Sequence, residues 1–143
     1  MASDAEWVRD QLRSVLATSD TKIRVVSTGA RVRPAVRRRP PDLVIVDFQI
    51  GNMGGMAVCI DLRLEESAGR LGHVKVIMLL DRRADVFLAR RSGAEGWIIR
   101  PLDPIRLRRA TQKVLDGENY YDESYKPNPV LVARSGSITA AGK

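Results

Sequence analysis

Apolar residues in this chain gather into short unbroken runs, separated by segments in which they recur at helical spacing. Leu43-Val44-Ile45-Val46 ends in Asp47, and Val74-Lys75-Val76-Ile77-Met78-Leu79-Leu80 ends in Asp81. Such runs, without polar alternation, predict strands buried on both faces, as in parallel sheets. Gly96 to Ile99 reads as a shorter strand, and Lys22 to Thr28, with Ile23, Val25 and Val26, as another closed by Gly29.

The intervening segments read as helices. Asp4 to about Thr18 carries Val8, Leu12, Val15 and Leu16 on one side, with Asp4 or Ser3 as N-cap. Ala30 to Arg39 predicts a short, weak helix interrupted by Pro34 and stopped by Pro40-Pro41. Met56 to about Ala68 places Val58, Cys59 and Leu62 together. Ala84 to Ser92 ends at Gly93, and Pro104 to Leu115 has proline in its first turn with Gly117 beyond its end. Regular alternation of strand and helix predicts one doubly wound α/β domain over residues 1–117. From Glu118 the pattern stops. Residues 118–143 read as an extended tail carrying prolines and tyrosines, with a disordered end.

Composition narrows the class. The 143 residues, 44% hydrophobic and 29% charged, suit a single globular domain. No run of ~18 apolar residues predicts a membrane span. Met1-Ala2-Ser3-Asp4 has no signal-peptide character, and the lone Cys59 cannot form an internal disulfide, so a reducing cytoplasm is expected. Cys59 itself reads as inert core, Trp7 as a packing residue and His73 as a loop residue with nothing to pair it for catalysis or metal binding. The net charge of +7 is concentrated at Arg31 to Arg39, Arg82 to Arg91 and Arg106 to Lys113. These stretches read as solvated helix faces, or as contacts for an acidic partner. No glycine-rich phosphate loop, nucleophile triad or metal-ligand cluster marks a metabolic enzyme.

Three stretches together resemble the receiver domain of two-component response regulators. Asp47-Phe48-Gln49-Ile50-Gly51-Asn52-Met53-Gly54-Gly55 is similar to that family's phosphoacceptor strand and loop. Val76-Ile77-Met78-Leu79-Leu80-Asp81 resembles its fourth strand, and Gly93 to Asp103, with Arg100-Pro101, its last strand and Lys-Pro motif. The likeness runs from about Ser3 to Leu115. It implies a flavodoxin-like (CheY-like) parallel sheet of order 2-1-3-4-5, with Asp47 as phosphoacceptor and no enzymatic activity beyond self-phosphotransfer from a phosphodonor. It also implies a Mg2+ ion on Asp47, the backbone carbonyl of Gln49 and Asp4. Trp97 takes the position of the switch aromatic, and Arg100-Pro101 is expected to be cis.

Departures from the family pattern fall at the same site. Arg100 stands for the phosphate-contacting lysine, Leu80 for the switch Ser/Thr, and Ser3-Asp4 for an acidic pair. Asp81 reads as the start of the next helix. Met1-Ala2 is short for a first strand, so that central strand is expected to be truncated, missing or replaced. Pro129-Val130-Leu131-Val132-Ala133 is a candidate replacement, from the same chain or from a second copy in a homodimer. The resemblance implies a cognate histidine kinase or another signalling protein as partner. Output would be a protein contact at the face of the fourth helix, last strand and last helix, where Arg90, Arg91, Arg106 and Arg109 favour an acidic partner. The rival readings are a phosphorylation-independent pseudo-receiver and an arginine-rich nucleic-acid-binding module.

Overall fold

The computed structural model describes residues 1–124. Three buried runs form the parallel centre of the sheet: β1 (Val44–Asp47), β2 (Val76–Leu80) and β3 (Gly96–Ile99). Val44 pairs with Val76, and Ile77 with Gly96. Alternate residues point to opposite layers, as the strand period of two requires. Val44, Val46, Val76, Met78, Leu80, Trp97 and Ile99 pack on one side, with α2 (Val32–Arg38), α3 (Gly55–Ser67) and α4 (Val86–Arg91). Ile45, Ile77, Leu79 and Ile98 pack on the other, with α1 (Glu6–Leu16) and α5 (Pro104–Leu115).

The slot expected for the first strand is filled by a short segment whose Ala2 bridges both neighbours. Met1–Ser3 lie in the central slot between Val26 and β1, and Ala2 forms parallel bridges to both Val26 and Val46. Ala2 N–H donates to Ile45 O (2.8 Å), and its carbonyl accepts from Asp47 N (2.9 Å). On the other side Val26 N donates to Met1 O (3.0 Å) and Ser3 N to Val26 O (3.2 Å). The sheet therefore follows the expected central order. The Pro129–Ala133 segment lies outside the described residues.

Four local expectations are corrected. The strand expected over 22–28 pairs only at Val26. Pro34 does not interrupt its helix, because it falls in the first turn of α2, where an N–H has no intrahelical acceptor. Neither Ser3 nor Asp4 is the N-cap of α1; Ala5 holds that place, and Ser3 Oγ accepts Ala5 N–H at 3.1 Å. The segment after Glu118 is not wholly a tail, because β4 (Tyr120–Tyr121) adds a sixth position to the sheet, parallel to β3.

The loop residue His73 takes part in a structural ion-pair cluster. Its Nδ1 meets Glu66 Oε1 at 3.0 Å and its Nε2 meets Glu95 Oε2 at 2.8 Å, while Arg63 bridges the same two carboxylates at 2.7 Å each. This cluster ties the end of α3 to the starts of β2 and β3 through Val74 N–H on Glu66 and Val76 N–H on Glu95. Many basic residues are likewise engaged: Arg33 pairs with Asp61, Arg70 with Glu65, and Arg82 with Asp85.

Two predictions follow from these contacts. A Cβ at Gly55 would lie 2.7 Å from Asp47 O and 2.8 Å from Phe48 Cα, so α3 reaches the end of β1 only because residue 55 has no side chain. Gly55→Ala is expected to lose about 1–3 kcal/mol in urea unfolding. Gly72→Ala, with open space around it, is expected to behave as wild type. Burial pushes the Glu66 carboxyl up, but Val74 N–H, His73 and Arg63 outweigh it and hold the group below its ordinary 4.5. That stabilisation is complete above 4.5 and is lost as pH falls through the lowered value. Glu66→Gln should therefore flatten the acid limb of a melting-temperature–pH curve between 4.5 and lower pH.

Candidate functional site

The C-terminal ends of β1, β2 and β3 bring Asp47, Leu80-Asp81 and Arg100 together. Asp47 closes β1 and is only 3% exposed. Its backbone N–H belongs to the ladder with Ala2, so the first strand fixes where the carboxylate points. Oδ2 accepts from Ser3 Oγ at 3.0 Å and from Arg100 Nη2 at 2.9 Å, and Oδ1 accepts from Gln49 N–H at 3.0 Å. The loop that follows turns back tightly: Ile50 N–H donates to Asp47 O, and Gly55 N–H to Phe48 O. Asn52 and Met53 take positive φ there (54° and 88°).

Arg100 leaves the end of β3, held by its N–H on Leu80 O at 2.8 Å, and precedes a cis bond to Pro101. Its guanidinium lies across the carboxylate end of the sheet. Nη2 takes Asp47, Nη1 takes Asp81, and the group stands 5.0 Å from the centre of the Trp7 ring. The Arg100 side chain is 16% exposed against 4% for that of Asp47, so their interaction is shielded from water on most sides. Asp81 and Trp7 thus both contact Arg100 at the end of the sheet, and Trp7 itself is 59% exposed. No periodicity signals these two contacts. Ser3 was visible only as a hydroxyl in the slot of an acid.

The remaining expected residues divide. Leu80 is fully buried in the core and offers no hydroxyl to the pocket. Trp97, at the switch position, is 1% exposed and stacks on Tyr121 at 4.4 Å. Asp4 is exposed and turns to the loop, where its Oδ2 accepts Gly51 N–H at 3.0 Å. A divalent cation does not fit this donor set as arranged. Ser3 rather than Asp4 sits at Asp47, a guanidinium occupies Oδ2, and among the described residues no three His, Cys, Asp or Glu side chains converge.

A doubly wound sheet with a buried aspartate at a central strand end and a cation reaching it from the last strand defines a signalling type of α/β domain. Residues 1–112 match the model of the response regulator receiver domain, and the chain belongs to that family. Its members act in two-component signal transduction with histidine kinases or other signalling proteins, and generally bind Mg2+ for phosphorylation. The DNA-binding response regulator MtrA of Mycobacterium leprae (strain TN) is 30% identical over 109 residues, spanning 75% of this chain and 46% of that protein. Response regulator protein VraR of Staphylococcus epidermidis is 27% identical over 124 residues, 83% of this chain and 56% of that protein. The chain thus spans about half the length of these relatives. Among solved structures, a putative response regulator from Chloroflexus aurantiacus superposes with a TM-score of 0.73 at 20% identity, covering 80% of this chain and 93% of the other. The receiver domain of a histidine kinase from Syntrophus aciditrophicus gives 0.71 at 24% identity, covering 98% and 95%. The fold is therefore the CheY-like, flavodoxin-like one. Among the described residues no helix is long and apolar enough to cross a membrane.

The pairing of Asp47 with Arg100 carries a direct test. Removing Arg100 strands the buried Asp47 carboxylate, and removing Asp47 leaves Arg100 with Asp81 alone, whereas removing both strands neither. A double-mutant cycle of Asp47→Ala and Arg100→Ala, read by urea unfolding, should give a coupling of about 1–3 kcal/mol.

Proposed function

We propose that this receiver domain works as a phosphorylation-independent relay, a pseudo-receiver that signals by protein contact. The observation that carries this reading is Arg100 at 2.9 Å from Asp47 and bonded to Asp81. A carboxylate nucleophile must be reachable, and its attack needs positive charge for the incoming oxygens. Asp47 is buried, and all three of its bonds are made within the chain. The guanidinium supplies the positive charge permanently and covers the oxygen that would attack. Leu80 gives a phosphoryl group no hydroxyl to hold. Constant neutralisation of Asp47 then fixes the strand ends in one state.

The second reading keeps Asp47 as a phosphoacceptor served by a cognate histidine kinase, with Mg2+ recruited to Asp4, Asp47 and the Gln49 carbonyl. Its support is the place of Asp47 at the strand end and the positive charge that Arg100 shares with the family's lysine. In both readings the chain catalyses nothing beyond self-phosphotransfer, and output runs through the face of α4, β3 and α5. Exposed Arg90, Arg91 and Arg109 favour an acidic protein there.

Intact mass after incubation with magnesium and acetyl phosphate separates the two. Wild type is expected to keep its mass, while Arg100→Lys combined with Leu80→Thr is expected to gain one phosphoryl group. A phosphoryl mass on wild type that disappears in Asp47→Ala would overturn the pseudo-receiver reading.

A further inference from the structure

The outer edge of β3 is closed by the chain's own segment after α5. Tyr120 pairs with Gly96 and Tyr121 with Trp97, through Tyr120 N–H on Glu95 O (3.1 Å) and Asp122 N–H on Trp97 O (3.2 Å). The approach is built into the sequence of β3: a Cβ at Gly96 would stand 2.7 Å from Tyr120 O. Beyond the two paired residues the ladder is continued by a side chain. Asp122 Oδ2 accepts Ile99 N–H at 2.9 Å, where a parallel strand would offer its next carbonyl. The same oxygen takes Arg106 Nη1 at 3.2 Å, and Oδ1 takes Ser124 N–H. Tyr121 lies on the Trp97 ring, with the Arg90 guanidinium 5.6 Å from that ring.

These contacts define a recognition groove with its ligand in place. β3 offers two carbonyls and one N–H to an extended chain, Trp97 offers an aromatic platform, and Arg106 offers a cation for an acid. Recognition of this kind, by adding a strand to a sheet edge, takes affinity from the main chain and specificity from alternate side chains. The occupant is short, and the connection leading to it is exposed from Leu115 to Asn119, with Gly117 at φ 91°. A ladder of two residues at the end of an exposed connection belongs to the least stable part of a fold.

We propose that the groove along β3, between α4 and α5, docks an extended acidic peptide of a partner protein, running parallel to β3 with an aromatic residue directly before an Asp or Glu. Tyr120–Asp122 is its intramolecular occupant, and the partner binds by displacing it. This rests on output by protein contact at this face, and it holds whether or not Asp47 accepts a phosphoryl group. The positive residues of the face and the acid at position 122 agree in charge. The cis segment therefore reports the chemistry of the trans one.

The test uses the full chain and a fluorescein-labelled synthetic peptide with the sequence of residues 118–124. The apparent affinity of a site falls by the fraction in which it is open. Tyr121→Ala combined with Asp122→Ala is therefore expected to bind the peptide about tenfold or more tighter than wild type in an anisotropy titration. Adding Arg106→Glu to that variant is expected to abolish binding. Equal binding by wild type and the released variant, or none by a released variant with wild-type circular dichroism, would overturn the proposal. Hydrogen exchange on wild type gives a second readout that needs no substitution. Saturating peptide should speed exchange at the Tyr120 and Asp122 amides while Ile99 stays protected, and unchanged rates at the first two would overturn it. Concentration-dependent dimers of wild type that exchange this segment would assign the groove to a second copy instead, and would equally overturn it. Acetyl phosphate labelling is unaffected by any of these outcomes, so the two readings fail separately.

Discussion

Four backbone hydrogen bonds around Met1–Ser3 hold the middle of this sheet together. A doubly wound sheet cannot leave its central slot empty, because the carbonyls and N–H groups on both sides would then lie buried without partners. Three residues meet that need here. Ala2 is nearly fully buried, and its small side chain packs in the layer of α2, α3 and α4. The same ladder bond that satisfies Asp47 N–H also sets the direction of its side chain. It brings Ser3 Oγ to the carboxylate as well. Sheet closure and site geometry are thus one constraint.

The polar end of the sheet is organised around charge that comes from the chain. Asp47 and Asp81 face one guanidinium, which Trp7 covers, while the Arg100 backbone N–H is held by the Leu80 carbonyl. Arginine suits this place because its planar fork addresses two carboxylates at once, which a lysine ammonium does with less geometric definition. The change from lysine at position 100 is therefore coupled to the identity of its neighbours. With Leu80 apolar and Ser3 neutral, the Arg100 guanidinium is the cation that both carboxylates share.

Much of this was legible in the sequence, and the exceptions have physical causes. Val44–Asp47 and Val76–Leu80 are fully buried strands whose apolar runs have no competing helical reading, and Asp47 followed from its place at a strand end. The cis Arg100-Pro101 bond and the unbroken helix from Pro104 also appear where expected. Strand 120–121 was hidden because two residues carry no period, and part of its anchorage is the Asp122 side chain. The ion pairs of His73 were not legible because its partners, Glu66 and Glu95, lie 7 and 22 positions away and meet only when α3 and β3 are in place. The weak strand over 22–28 shows the converse: β-branched residues there had propensity, but a truncated neighbour leaves little to pair with.

Trp97 carries one more consequence. Its ring is wholly enclosed, yet its indole N–H finds no acceptor among the described residues. Trp97 is thus both the floor on which Tyr121 lies and a residue whose polar edge the described residues leave open, at the point where sheet and surface meet.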